Sequence, residues 1–148
     1  MPVYNEIKTL EIIIKKLLKL NLYKETIKEL IIIDDCSDDG SKEIIKEYSN
    51  KYEIIKGVFK DKNKGKGDSQ KLAKKYVTGD FVIIQDADLE YDPDDINKLL
   101  KIALDEDKEF VIGYRQMKTS INHLYFYFRE LAVNALTFTL NLLYNVKI

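Results

Sequence analysis

The sequence predicts an α/β fold, a mostly parallel sheet with helices on both faces. Three observations carry that reading. Short apolar runs such as Leu30-Ile31-Ile32-Ile33 and Phe81-Val82-Ile83-Ile84 alternate with segments whose apolar residues recur at helical spacing. Each of these runs ends in carboxylates, Asp34-Asp35 after the first and Asp86-Ala87-Asp88 after the second. The chain is 148 residues long, one domain's worth and enough to bury a core. Strands alternating with helices in this way are joined by right-handed crossovers.

Met1-Pro2-Val3-Tyr4-Asn5-Glu6 leads straight into a helix with Ile7, Leu10, Ile13, Ile14, Leu17 and Leu18 on one stripe. Asn5 is its expected N-cap. No strand is expected ahead of this turn, so the first strand of the sheet reads as missing. Leu30 to Ile33 is then the first strand, and Asp34 to Ser41 the loop behind it. Ser41 is expected to cap a second helix carrying Ile44, Ile45 and Tyr48.

Glu53 to Phe59 alternates loosely and reads as the next strand. Asn63-Lys64-Gly65-Lys66-Gly67 opens a short helix from Asp68 to Val77. Phe81 to Ile84 reads as a strand buried on both faces, entered at Gly79-Asp80 and left at Asp92-Pro93. A helix from Asp94 to Leu104 and a strand from Glu109 to Gly113 follow. Residues 120–146 form an apolar amphipathic helical region in which Glu130, Asn134, Thr137, Asn141 and Asn145 make a polar stripe. That region suits core packing against a sheet, or an interfacial helix making peripheral contact with a membrane.

Composition narrows the function. Hydrophobic residues make up 45% and charged residues 33%, with a net charge of −1, so nothing marks a nucleic-acid-binding surface. The single Cys36 excludes an internal disulfide and any multi-cysteine metal site. With His123 the only histidine, a Ser-His-Asp or Cys-His triad has little to draw on. No signal peptide is visible, and no uncharged apolar run reaches the ~20 residues that span a bilayer. The expected location is the cytoplasm, or the cytoplasmic face of a membrane.

In α/β sheets ligands bind outside the carboxyl ends of the strands. Asp34/Asp35, the Asn63 to Gly67 loop and Asp86/Asp88 all fall at such ends and are expected to converge on one crevice. In an extended chain Asp86 and Asp88 point to the same side. Like charges so placed repel unless a cation or proton joins them. An oxygen-only pair suits Mg²⁺ or Mn²⁺, which completes its shell with water and substrate phosphates. Taken alone, Asp86-Ala87-Asp88 fits a solvated acidic loop capping the next helix equally well, and the glycine loop also reads as a plain turn.

Four motifs in order, Pro2-Val3-Tyr4-Asn5-Glu6, Asp34 to Ser41, Asn63 to Gly67 and Asp86-Ala87-Asp88, resemble the family 2 glycosyltransferases across nearly the whole chain. Gln85 to Pro93 and Gly113-Tyr114-Arg115 look most like the branch of polyprenyl-phosphate (dolichol-phosphate) mannosyl- and glucosyltransferases. The resemblance implies the GT-A fold, inversion at the sugar carbon, a nucleotide-sugar donor and a divalent metal. It matches Pro2, Tyr4 and Glu6 to the first nucleotide-contacting turn, and Asp35 to the acid that binds base or ribose. Lys66 is then expected to add charge near the phosphates. Asp86 and Asp88 match the donor and metal acids, and Glu90 stands where some relatives place a further metal ligand. Arg115 matches an arginine that contacts acceptor phosphate, which a guanidinium grips bidentately. Arg129 is a weaker candidate, read first as a helix-surface residue.

The implied reaction is transfer of a hexose from a GDP-mannose or UDP-glucose type donor to a polyprenyl phosphate. A lipid phosphate is already anionic near neutral pH, so no strong base is needed. A sugar hydroxyl would need a carboxylate base, and none presents itself outside the donor site. Two alternatives stand beside this: a transferase acting on a glycan hydroxyl, and a non-catalytic nucleotide-binding remnant. The second follows from the expectation that the domain is partial. Relatives carry a strand before the first motif and an acceptor-binding segment after the last.

Overall fold

The computed structural model describes residues 1–113, 131–135 and 137–139. The chain divides into two compact units, Met1–Ile112 and Gly113–Ile148. In the first, the order is β1 (Pro2–Val3), α1 (Ile7–Lys19), β2 (Leu30–Asp34), α2 (Ser41–Lys51), β3 (Ile55–Phe59), α3 (Lys66–Ala73) and α4 (Asp95–Asp105). Single 3₁₀ turns at Tyr23–Glu25 and Lys74–Tyr76 follow α1 and α3. The described sheet is parallel, in the order β1-β2-β3. Pro2 lies opposite Ile33 and Val3 opposite Asp34, while Leu30 to Asp34 run beside Ile55 to Phe59.

The core follows from the apolar spacing. Leu10, Ile13, Ile14 and Leu17 are the buried stripe of α1, and each such side chain contributes about 2 kcal/mol on burial. They join Val3, Ile32, Ile45, Tyr48, Ile55 and Ala87 in one cluster. Ile31, Ile32 and Ile33 are all buried although they alternate across the sheet, as a strand covered on both faces requires. On β3, Gly57 has a packing reason. A Cβ there would stand 2.7 Å from Ser49 Oγ and 2.8 Å from Ile45 Cγ2, so only glycine lets α2 approach this closely. The last turn of α1 is closed by Lys28, whose ammonium donates to the carbonyls of Leu17, Leu18 and Leu20.

Several expectations are corrected. The strand read as missing is present as the two-residue Pro2–Val3, held when Ile33 N–H donates to Met1 O and Asp35 N–H to Val3 O. Phe81 to Ile84 form no strand, and all four side chains are exposed, from 45% at Ile83 to 67% at Val82. Glu109 to Ile112 likewise stay unpaired, with Phe110 and Ile112 exposed. A strand persists only where its backbone groups find partners, and β1, at one edge of the sheet, offers two residues of ladder. Asn5 is not the cap of α1. Its φ is +56°, and no side chain of the flanking residues caps that helix. Ser41 lies inside α2, not ahead of it, and Gly40 flanks the helix. The helix expected over Asp68 to Val77 begins two residues earlier and tightens to a 3₁₀ turn after Ala73.

In the second unit, residues 131–135 and 137–139 are helical, within the region predicted as such, and Leu131, Val133 and Phe138 are exposed. Arg115, His123 and Arg129 lie outside the described residues. Among the described residues no helix is long and apolar enough to cross a membrane.

Candidate donor site

Loops at the carboxyl ends of β1, β2 and β3 are tied to one another by their side chains. The turn after β1 and the loop after β2 cap each other. Asn5 N–H donates to Ser37 Oγ, Glu6 N–H to Ser41 Oγ and Ile7 N–H to Asp39 Oδ2, while Asp38 N–H donates back to Asn5 Oδ1. Asp39 also accepts from Ser41 N–H, so one carboxylate satisfies the first turns of both α1 and α2. Burial opposes its charge, but the bonds from Ser41 and Ile7 outweigh that and hold the Asp39 carboxyl below its usual value. Asp39 thus serves two helices.

Asp35 joins the loops after β2 and β3. Its Oδ1 accepts from Lys64 N–H at 3.0 Å and its Oδ2 from Gly65 N–H at 2.7 Å. Gly65 makes this approach at φ +83°, a region costly for any other residue. The Lys60 ammonium lies 2.5 Å from Asp35 Oδ1 and 2.7 Å from Asp68 Oδ2, with the Lys60 side chain 8% exposed and that of Asp35 4%. Burial pushes the Asp35 carboxyl up, yet Lys60 and the two amides more than reverse it, leaving it below the usual range. Lys60 mirrors this. Burial works to lower its pKa, and the two carboxylates raise it overall.

Lys66, the first residue of α3, carries the connection onward to Asp86, its ammonium 2.7 Å from Asp86 Oδ2. Gln85 is buried and fixes the backbone here, donating from Nε2 to the carbonyls of Asp86 and Tyr91. Beyond Asp86 the chain does not stay extended. Leu89 has φ +63°, and Asp88 Oδ1 accepts Glu90 N–H at 2.9 Å, so Glu90 does not continue one face from Asp88. Among the described residues no three carboxylate, histidine or cysteine groups gather into a cation cage. The donor set is nonetheless oxygen only, which fits a Mg²⁺ or Mn²⁺ held by one or two carboxylates and otherwise by substrate phosphates.

The structure therefore brings Asp35, Lys66 and Asp86 into one hydrogen-bonded path. Tyr4 is half-exposed at the mouth of the turn after β1, and Pro2 is part of the ladder. Glu6 accepts from the Thr9 hydroxyl. Sequence reading missed Lys60, whose only signal was a cation directly after the β3 run, and gave no role of its own to Gln85, the first residue of the Gln85 to Pro93 motif. Beside the path lies an open cavity of about 610 Å³ whose lining includes Lys60, Lys62, Lys64, Lys71 and Lys75 against Asp61 and Asp68. That excess of cations favours an anionic guest.

Residues 1–146 match the family model described as glycosyl transferase family 2. The chain belongs to this family. It is 31% identical over 118 residues to a dolichol-phosphate mannosyltransferase of Pyrococcus furiosus, covering 80% of this chain and 32% of that protein. An undecaprenyl-phosphate 4-deoxy-4-formamido-L-arabinose transferase of Yersinia enterocolitica is 33% identical over 114 residues, covering 76% of this chain and 34% of the relative. The chain thus spans about a third of the length of either relative. Among solved structures, the mannosyltransferase PcManGT of Pyrobaculum calidifontis, in complex with GDP-Man and Mn²⁺, superposes with a TM-score of 0.60 at 22% identity, over 69% of this chain and 30% of that one. The fold is that of the GT-A glycosyltransferases in this family, as expected.

Proposed function

We propose that this family 2 chain carries the donor site of an inverting hexosyltransferase using a GDP-mannose or UDP-glucose type donor and a polyprenyl (dolichol) phosphate acceptor. The observation that carries the reading is the continuous path from Asp35 through Lys64-Gly65-Lys66 to Asp86, joining the loop ends where this fold class binds ligands. The names of the two relatives, both polyprenyl-phosphate transferases, support the acceptor class.

In this reading Asp35 accepts from base or ribose with the acceptor position left over, since two carboxylate oxygens offer about four and Lys64, Gly65 and Lys60 take three. Pro2, Tyr4 and Glu6 line the nucleotide side, and Lys66 meets the diphosphate. Asp86 and Asp88, with Glu90 next to them, would hold Mg²⁺ or Mn²⁺, whose charge offsets that of the departing nucleoside diphosphate. Arg115 is assigned to the acceptor phosphate. That phosphate enters already anionic, so no residue of this chain is asked to remove a proton from it.

The test is transfer of label from GDP-mannose or UDP-glucose, with Mn²⁺, to a short polyprenyl phosphate or to an oligosaccharide. Label extracted into the lipid phase supports the proposal. Label in the oligosaccharide alone, or in neither acceptor, overturns it.

A further inference from the structure

Lys66 and Asp86 stand in an unequal pairing. The Asp86 side chain is 18% exposed and the Lys66 side chain 56%, so the carboxylate is recessed while the ammonium is open to solvent. The two residues are 20 apart in sequence and are brought together by different loops, one opening α3 and one ending the Phe81 to Gln85 stretch. Lysine is a point charge on a flexible stem, able to exchange one anionic partner for another without backbone movement. A divalent cation and an ammonium on the same carboxylate oxygen repel each other, whereas a diphosphate attracts both.

We propose that Lys66 is the resting counter-cation of Asp86, and that a nucleoside diphosphate draws it away and so opens Asp86 to Mn²⁺. This rests on the reading of Asp86 as a metal ligand. Lys66 then does two things in turn: it screens a recessed carboxylate while the donor is absent, and it neutralises diphosphate charge when the donor arrives. Metal alone must share the Asp86 carboxylate with Lys66, which sits on Oδ2. Metal with nucleotide need not, because the ammonium has a new partner. The two ligands therefore bind cooperatively, and by linkage each strengthens the other by the same factor. A Lys66 that only tied two loops together would give no such coupling.

The experiment measures free Mn²⁺ by electron paramagnetic resonance against wild type, Lys66→Met, Lys66→Gln, Lys66→Arg and Asp86→Asn, each with and without GDP or UDP. Far-UV circular dichroism checks that each variant is folded, and Lys66→Gln serves should the apolar replacement disturb the loop. The expected result is Mn²⁺ binding without nucleotide about tenfold tighter in Lys66→Met than in wild type. The gain on adding nucleotide should shrink by a similar factor, and Lys66→Arg, which keeps the charge, should stay close to wild type. Unchanged or weaker Mn²⁺ affinity in Lys66→Met and Lys66→Gln, at a site that Asp86→Asn abolishes, overturns the role of Lys66 and leaves the metal reading standing. Mn²⁺ binding that survives Asp86→Asn in the presence of nucleotide overturns the metal reading, and this proposal with it.

Discussion

The Lys60 ammonium sits 2.5 Å from Asp35 Oδ1, inside a cleft where neither side chain is more than 8% exposed. This contact joins the carboxyl ends of β2 and β3 and helps to hold the buried Asp35 carboxyl ionised. A buried ion pair contributes little net stability over an apolar pair of the same volume, but breaking it leaves an uncompensated charge. Removing Lys60 alone is therefore far worse than replacing both partners by apolar residues.

Lys60→Met should lower the stability of the chain by about 3 kcal/mol, because Asp35 stays buried with its strongest partner gone. Urea denaturation followed by circular dichroism measures this. Asp35→Asn combined with Lys60→Met should recover part of the loss, and strict additivity would contradict the coupling.

Acid should weaken the fold through Asp35 and Asp39. Both carboxyls titrate below their usual value in the folded chain. As pH falls the unfolded chain takes up protons first, so stability rises with pH across that span. Their contribution is complete above about pH 4, and is lost as pH falls through the lower folded values. Asp39→Asn should make the acid limb of a stability–pH curve shallower, which a denaturant series from about pH 5 to 2 would register.

Asp39→Ala removes acceptors from the first turns of two helices at once. A single lost cap costs about 1 kcal/mol, so the expected loss is about 2 kcal/mol. Ser37→Ala, which withdraws one exposed acceptor from Asn5 N–H, should cost less than half as much when compared in the same denaturant titration.

Gly57→Ala places a methyl group 2.7 Å from Ser49 Oγ and 2.8 Å from Ile45 Cγ2, a contact relieved only when those side chains or α2 itself give way. Overpacking of this kind costs about 1–3 kcal/mol. Nucleotide affinity should be unaffected, since Gly57 lies in mid-strand and not at the loop ends, so stability and binding measured together separate the two effects.

The sequence made the loops of the site legible and their wiring less so. Leu30 to Ile33 could be recognised because a run of four apolar residues has few other homes in an α/β chain, and Asp35 and Asp86 because they end such runs. Phe81 to Ile84 has the same local signature without the same outcome. Whether an apolar run pairs depends on an adjacent strand edge, which no local pattern reports. The capping of α1 by Asp39 and Ser41, more than 30 residues away, is likewise long-range, as is the contact of Lys60 with Asp35. Asn5 satisfied the local rule for a cap, and its left-handed backbone set its side chain to a different task, accepting the Asp38 N–H.

Calorimetric titration tests the proposed metal-linked nucleotide site most directly. The chain would be titrated with UDP and with GDP, each with and without Mn²⁺, and the series repeated on Asp88→Ala. The expected result is Mn²⁺-dependent binding of one nucleotide that disappears in the variant. No binding to a folded sample, or binding indifferent to both Mn²⁺ and the loss of Asp88, would contradict it.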